Sequence, residues 1–160
     1  MLKLYLDTSP IVKRYVTEPG TQTVDIIFDK AEAGELIITF SLWNIGEVLG
    51  VLDERRRREW LTQREIEQTL KNLADELLKL IRLRTLETIV IHTPILTETW
   101  KLILNYHIYE ADALQITTCI HSQSNALISS DKKLIDASRK IGLKAFHVTK
   151  DEEKLREFIK

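Results

Sequence analysis

Residues 2–10 read Leu2-Lys3-Leu4-Tyr5-Leu6-Asp7-Thr8-Ser9-Pro10. A short apolar run ends at an acid, and a capping residue before proline then marks the start of a helix. A run that is apolar at most positions is typical of a strand covered by helices on both faces, as in a parallel sheet. The segment therefore predicts a buried first strand, a turn that carries Asp7, and a helix.

Similar apolar runs recur along the chain and alternate with longer stretches of helical spacing, which indicates an α/β fold. We predict five doubly buried strands, at residues 2–6, 36–40, 88–91, 126–129 and 145–148. Capping residues Ser41 and Thr62 predict two long helices that form a helical hairpin at about residues 41–83. Gly142 predicts the end of a helix that opens at Asp131. One domain is expected, spanning residues 1–160.

Composition narrows the class of protein. The 23 basic and 24 acidic residues give a net charge of −1, which excludes the broad electropositive surface of a protein that coats nucleic acid. Any surface that binds nucleic acid must therefore be small and local. The single cysteine, Cys119, allows no intramolecular disulfide, and an acid stands too early for a secretory signal. No apolar run approaches the ~20 residues of a membrane span, so we expect a cytoplasmic protein with no membrane association.

Four acids occupy unusual positions relative to the predicted elements. Asp7 ends the first strand and Asp131 follows the fourth, so both lie at the carboxyl edge of the sheet, where open α/β sheets bind ligands. Glu47 and Asp112 are embedded in apolar stretches of helices that begin near the same edge. The four acids are therefore candidates for one site.

An ionised carboxylate among apolar residues is costly unless it is paired or bound to a cation. No Lys or Arg occurs at residues 41–53 or 102–129. If the four acids converge, their repulsion raises some of their pKa values unless a divalent metal neutralises them. All-oxygen ligands favour Mg²⁺ or Mn²⁺ over zinc, and the four histidines show no metal-binding spacing. The pattern predicts a site for Mg²⁺ or Mn²⁺.

Each acid also has an ordinary structural interpretation. Asp131 alone is typical of a helix N-cap, and Asp7 can cap or hydrogen-bond the following turn. Glu47 and Asp112 can each point outward and be solvated. Two strand-end acids and two helix acids near one edge nevertheless fit a single site better than four unrelated placements.

At these residues the sequence resembles the PIN-domain family of ribonucleases, and within it the VapC-type toxins of bacterial and archaeal toxin–antitoxin pairs. The matching segments are residues 4–9, 44–48, 111–115 and 128–134, in this order. The resemblance implies a three-layer α/β/α sandwich around a five-stranded parallel sheet of order 3-2-1-4-5. That order places strands one and four side by side, which brings Asp7 and Asp131 together.

The resemblance also implies an activity, hydrolysis of RNA phosphodiester bonds by metal-activated water. The expected catalytic residues and metal ligands are Asp7, Glu47, Asp112 and Asp131. We expect Asp7 and Asp112 to bind the principal Mg²⁺ or Mn²⁺ ion, while Glu47 and Asp131 complete the shell or orient the water. The expected supporting residues are Thr8, Ser9 and Ser129. Ser129 departs from the commonest family form, which has Thr there, but it keeps the hydroxyl.

The resemblance further implies a homodimer inhibited by a small antitoxin protein that blocks the acidic groove. The basic residues nearest the acidic edge are candidates to meet RNA phosphates: Lys13, Arg14, Lys132 and Lys133. The run Arg55 to Arg58 is a second candidate. Its acidic neighbours favour a solvated helix end or a partner-binding face instead.

Other functions remain open. A housekeeping PIN nuclease for RNA maturation would act without a cognate inhibitor. A non-enzymatic, doubly wound binding module would use the acids as caps and surface groups, and its stability would not respond to metal. The aspartyl-phosphate phosphatases also place Asp after the first strand, but they need a second Asp two residues later, where this chain has Ser9.

Overall fold

The fold is described from a computed structural model that covers residues 1–160. Five strands alternate with eight helices. In chain order they are β1 (Leu2–Leu6), α1 (Thr8–Tyr15), α2 (Thr21–Glu32), β2 (Leu36–Ser41), α3 (Leu42–Arg57), α4 (Gln63–Leu83), β3 (Leu86–Ile89), α5 (Thr93–Tyr106), α6 (Glu110–His121), β4 (Ala126–Ser129), α7 (Lys132–Lys140), β5 (Ala145–His147) and α8 (Glu152–Phe158). None of the helices combines the length and apolarity that a transmembrane span requires.

The sheet is entirely parallel and its strand order is 3-2-1-4-5, which confirms the predicted topology. Successive side chains of a strand point to opposite faces, and each face of β1 packs into its own core. Leu4 and Leu6 belong to the larger core, with α1 to α4 and α8. Tyr5 belongs to the smaller core, with α6 and α7. The sheet is therefore covered by helices on both faces, as the α/β/α prediction requires.

β1 and β4 match their predicted ranges and β2 and β5 end within one residue of theirs, whereas the edge strand β3 is displaced. β3 spans Leu86–Ile89, two residues earlier than predicted, and Thr88 is exposed. The prediction that all five strands are doubly buried is therefore wrong for β3. An edge strand has a neighbour on one side only, so its apolar pattern is weaker and its ends are harder to place.

Helix starts follow their capping signals at three positions. Ser41 and Thr62 each form a reciprocal capping box, with Asn44 and Glu65 respectively. Asp131 caps α7, and Gly142, with φ +93°, follows its end. The Ser9-Pro10 signal is less exact, since it predicts Pro10 as the first helical residue and α1 begins two residues earlier, at Thr8.

Candidate active site

The site begins where β1 and β4 end side by side. Leu6 pairs with Ile128 in the sheet, and the Asp7 amide donates to the Ile128 carbonyl at 3.0 Å. Ser129 then joins the two strand-end acids: its hydroxyl donates to Asp7 Oδ2 at 2.7 Å and accepts from the Asp131 amide at 2.9 Å. The strand order therefore places Asp7 and Asp131 at the same point of the carboxyl edge.

The capping interpretation applies to only one of these two acids. Asp131 Oδ1 accepts from the amides of Lys133 and Leu134 at 2.7 and 3.3 Å, so it caps α7. Asp7 occupies the N-cap position of α1 but makes no capping hydrogen bond. Its Oδ2 accepts instead from Ser129 and, at 3.2 Å, from Ser9. Asp7 is buried, with 9% of its surface exposed, and is held by hydroxyls.

Glu47 reaches the same region from the second turn of α3. Its Oε2 accepts from the Thr8 hydroxyl at 2.5 Å and from the Gln115 amide at 2.9 Å. Thr8 immediately follows Asp7, and Gln115 lies three residues after Asp112 on one face of α6. These two donors fix the Glu47 carboxylate between the segments that carry the other acids.

A buried polar network supports this arrangement, and sequence reasoning did not identify it. Gln115 Oε1 accepts from the Tyr5 hydroxyl at 2.6 Å and from Asn44 Nδ2 at 3.1 Å. Asn44 Nδ2 also donates to Thr8 Oγ1 at 3.0 Å. A usable signal was present, because Asn44 and Gln115 each lie three residues from a site acid on a helix. Buried amide groups need hydrogen-bond partners. Asn44 finds them in Thr8 and Gln115, and both of these residues donate to Glu47.

Charge repulsion links Asp112 to the other three acids. Burial raises the pKa of Asp112 to about 6, and the negative charges of Asp131, Asp7 and Glu47 contribute to the rise. Burial also raises the pKa of Asp7, assisted by the charge of Glu47 and opposed by hydrogen bonds from Ser129, Thr8 and Ser9. No Lys, Arg or His forms a salt bridge with any of the four. The acids share one negative environment that no salt bridge neutralises.

A cavity of about 420 Å³ opens at this edge of the sheet. Asp7, Glu47 and Asp131 line it, whereas Asp112 does not. The remaining lining residues come from α1, the loop after α1, α3 and the end of β4: Thr8, Ser9, Val12, Lys13, Glu18, Val51, Arg55 and Ser130. Three of the four predicted acids therefore face one space, and the fourth acts on it through its charge.

The donor chemistry suits a hard divalent cation such as Mg²⁺ or Mn²⁺. Donors of the protein hydrogen-bond to Asp7 Oδ2, Glu47 Oε2 and Asp131 Oδ1. The second oxygen of each carboxylate accepts no side-chain hydrogen bond. No three His, Cys, Asp or Glu side chains are arranged as a complete metal-binding group, so the assignment of Asp7, Glu47, Asp112 and Asp131 as metal ligands stays a prediction.

The predicted phosphate-binding residues divide into two groups. Lys13 lines the cavity, and Lys133 lies near enough for its charge to oppose the rise of the Asp112 pKa. Arg14 lies elsewhere: its guanidinium binds Glu76, Asp25 and Asp29, which does not support a role in contacting RNA. Lys132 is exposed and pairs with Asp136 on its own helix.

The arginine run on α3 also divides. Arg56 and Arg57 pair with Asp53, and Arg58 pairs with Glu54, all exposed and all within the helix. This agrees with a solvated helix end. Arg55 differs, because it lines the cavity. From the sequence it was considered only as part of the arginine run and was not singled out.

Comparison with solved structures finds similar folds over nearly the whole chain. PAE2754 from Pyrobaculum aerophilum has a TM-score of 0.65 at 13% identity, covering 98% of this chain and 90% of that one. FitAcB from Neisseria gonorrhoeae has a TM-score of 0.64 at 16% identity, covering 91% and 97%. VapC20 from Mycobacterium tuberculosis, described as a Sarcin-Ricin loop cleaving toxin, has a TM-score of 0.59 at 12% identity, covering 88% and 95%. At these identities the likeness concerns the fold.

Sequence comparison adds the family. No curated protein matches the chain, but residues 4–140 match the PIN domain. This range includes all four acids, the hydroxyl and amide side chains that hold Asp7 and Glu47, and β2, β3, β4 and most of β1. With the strand order and the placement of the acids, the match shows that the chain belongs to the PIN-domain family.

Proposed function

We propose that this protein is a Mg²⁺- or Mn²⁺-dependent endoribonuclease that hydrolyses RNA phosphodiester bonds at the acidic edge of the sheet. One observation carries the proposal: four carboxylates raise the negative charge of one region, and none of them forms a salt bridge with a cation of the protein. Structural acids are normally paired. Membership of a family of nucleases and a fold similar to that of an RNA-cleaving toxin support the same function.

Asp7 and Asp112 would bind the principal ion, and Glu47 and Asp131 would complete its shell or orient the attacking water. The bound ion would lower the pKa of that water and stabilise charge on the attacking and leaving oxygens. Ser129 and Ser9 hold Asp7 through Oδ2, which leaves Oδ1 without a side-chain donor. Thr8 and Gln115 hold Glu47 in the same manner.

The proposed biological role is that of the toxin in a VapBC-type pair, acting in the cytoplasm and inhibited by a small antitoxin protein. The similarity in fold to VapC20 supports this role. A housekeeping PIN nuclease is the alternative, and copurification distinguishes the two. The chain is expressed with its neighbouring reading frames, purified by a tag, and examined by mass spectrometry. A stoichiometric small partner that suppresses cleavage supports the toxin, whereas full activity in the native complex contradicts it.

A homodimer is also proposed. Leu96, Trp100 and Leu104 are exposed and spaced by four residues, so they form an apolar stripe along α5. Trp100 is 57% and Leu104 74% exposed. Light scattering of the wild type and of Trp100→Glu tests this proposal. We expect a dimer that dissociates in the variant, and a monomeric wild type would contradict the proposal.

An RNA-cleavage assay tests the nuclease. Wild type is compared with Asp7→Asn and Asp112→Asn, and with Asp136→Asn as a matched control, since Asp136 is exposed on α7. We expect cleavage only with Mg²⁺ or Mn²⁺, a loss of at least about 10²-fold in both site variants, and normal activity in the control. Cleavage that persists in EDTA, or in both site variants, would reject the mechanism.

A further inference from the structure

Two basic side chains bind one carboxylate inside the cavity that contains the site acids. Lys13 Nζ lies 3.1 Å from Glu18 Oε2, and Arg55 Nη2 lies 2.8 Å from Glu18 Oε1. The side chains of Lys13 and Arg55 are 10% and 21% exposed. Each cation therefore engages a different oxygen of the same anion, in a partly desolvated space where charge is poorly screened.

The order of residues along two helices gives the cavity a negative end and a positive end. On α1, Ser9 lies beside Asp7 at the sheet edge, and Lys13 follows one turn later. On α3, Glu47 and Arg55 lie on the same face, about 12 Å apart along the axis. The acids thus lie at the sheet, and the two cations lie further along the walls of the same cavity.

Glu18 stands on the loop between α1 and α2, outside both helices that carry the cations. Its carboxylate presents two oxygens to a lysine and an arginine, as a phosphate group would. Arg56, Arg57 and Arg58 find acids within their own helix, whereas Arg55 pairs with an acid on another segment. The pair of cations is therefore arranged around a small anion.

We propose that Lys13 and Arg55 form a binding subsite for a phosphate group of the RNA backbone, next to the phosphate that is hydrolysed, and that Glu18 occupies this subsite in the free protein. RNA binding then exchanges the Glu18 carboxylate for a phosphate. The inference rests on the proposed function, because that function supplies the ligand. It assigns roles to Arg55 and Glu18 and identifies Lys13, rather than Arg14, as the phosphate contact of α1.

Equilibrium binding of a short fluorescein-labelled single-stranded RNA tests the subsite, with Ca²⁺ in place of Mg²⁺ and intact RNA verified afterwards on a gel. Arg55→Gln is compared with its neighbour Arg56→Gln, which removes the same charge from an exposed position. We expect Arg55→Gln to weaken binding about tenfold and to reduce the slope of log affinity against log salt by about 0.7, the value for one phosphate contact on a single strand. Arg56→Gln should change neither quantity.

Glu18→Gln is compared with Glu54→Gln, which removes one negative charge from an exposed residue of α3. We expect Glu18→Gln to tighten RNA binding about threefold or more, since the competing anion is gone, and Glu54→Gln to leave it unchanged. Inorganic phosphate should compete with RNA for the wild type and compete less well in Arg55→Gln. Phosphate that binds at Arg55 without displacing RNA would reject RNA as the ligand.

Equal salt slopes for Arg55→Gln and Arg56→Gln would overturn the subsite, and so would weaker RNA binding by Glu18→Gln. If the three residues only brace the α1–α2 loop against α3, both variants melt at lower temperature and the salt slope stays the same. Failure of the nuclease is separable, because the readout is binding. A changed slope without cleavage of any RNA rejects the nuclease alone, whereas cleavage with unchanged slopes rejects the subsite alone.

Discussion

Two clusters of carboxylates lie at opposite ends of α1, and they differ in what neutralises them. At the end of the helix, Arg14 binds Glu76 at 2.6 Å, Asp25 at 2.7 Å and Asp29 at 3.4 Å. At the start, Asp7 and its three acidic neighbours form no salt bridge. The first cluster is complete as an ion-pair network between helices, whereas the second has no cationic partner within salt-bridge distance. Partial burial of acids is common to both, so the missing counter-charge is the feature that indicates function.

The pKa shifts follow this difference. Burial lowers the pKa of Arg14, but its hydrogen bonds to Glu76 and Asp25 outweigh burial and raise it above its ordinary value. Burial raises the pKa of Asp112, and the neighbouring acids raise it further. The charged form is therefore stabilised in the first cluster and disfavoured in the second.

Removal of Arg14 should have the largest effect on stability. Arg14→Met leaves Glu76 and Asp25 without a cationic partner, which we expect to lower the free energy of unfolding by about 3 kcal/mol. Arg64→Met is the control, because Arg64 is exposed on α4 and should cost less than about 0.5 kcal/mol. Urea denaturation measures both, and equal midpoints would show that the network contributes nothing.

Asn44→Ala should have the next largest effect, because neutral donors rather than cations hold the acidic site. Asn44 is fully buried and joins Ser41, Thr8 and Gln115. Loss of its amide leaves buried groups unsatisfied, at a cost of about 2 kcal/mol. Asn105→Ala, exposed on α5, is the matched control for urea denaturation. If Asn44→Ala lowered the free energy of unfolding by less than Asn105→Ala does, the network would not stabilise the site.

Asp112→Asn should change the free energy of unfolding in the opposite direction and stabilise the protein. Without metal it relieves repulsion and should raise the free energy of unfolding by about 1 kcal/mol, a modest gain because the carboxyl is half-buried and screened. Asp25→Asn removes an acid from the Arg14 network and should destabilise. Denaturation of both proteins in EDTA measures the contrast, and destabilisation by Asp112→Asn would refute the idea of an uncompensated site.

The smallest expected effect is the pH dependence of the stability that Asp112→Asn gains over the wild type. The folded-state pKa of Asp112, about 6, lies above its ordinary value of 3.8, so folding favours the protonated form. The stability that protonation supplies is present below pH 3.8 and is lost as pH rises through about 6. The difference between wild type and Asp112→Asn in EDTA should therefore be near zero at the acid end and grow across this window. A difference that is constant with pH would contradict the shift.

The fold and the positions of the acids follow from local signals in the sequence. Ser41, Thr62 and Asp131 mark helix starts through their own hydrogen bonds, and the central strands are apolar because both their faces are covered. Strand order came from the family resemblance. The edge strand β3 was misplaced because its exposed face weakens the pattern.

Side-chain partners were harder to predict, because they depend on how helices distant in sequence come together. Arg14 and Lys13 are neighbours in the sequence, yet they turn toward α4 and toward the cavity respectively. Arg55 and Arg56 are equivalent in the sequence pattern, but in the fold Arg55 pairs with Glu18 on a distant segment. The support of Glu47 by Gln115 likewise joins residues 68 positions apart, and no local pattern encodes such a contact.

Titration calorimetry with Mn²⁺ measures whether the acids at the sheet edge bind an external cation. Metal-free wild type is compared with Asp7→Asn and Asp112→Asn, and with Asp25→Asn from the neutralised cluster. We expect binding heat in the wild type and in Asp25→Asn, and a large loss of affinity in Asp7→Asn and Asp112→Asn. No binding by the wild type, or the same isotherm for all four proteins, would contradict this expectation.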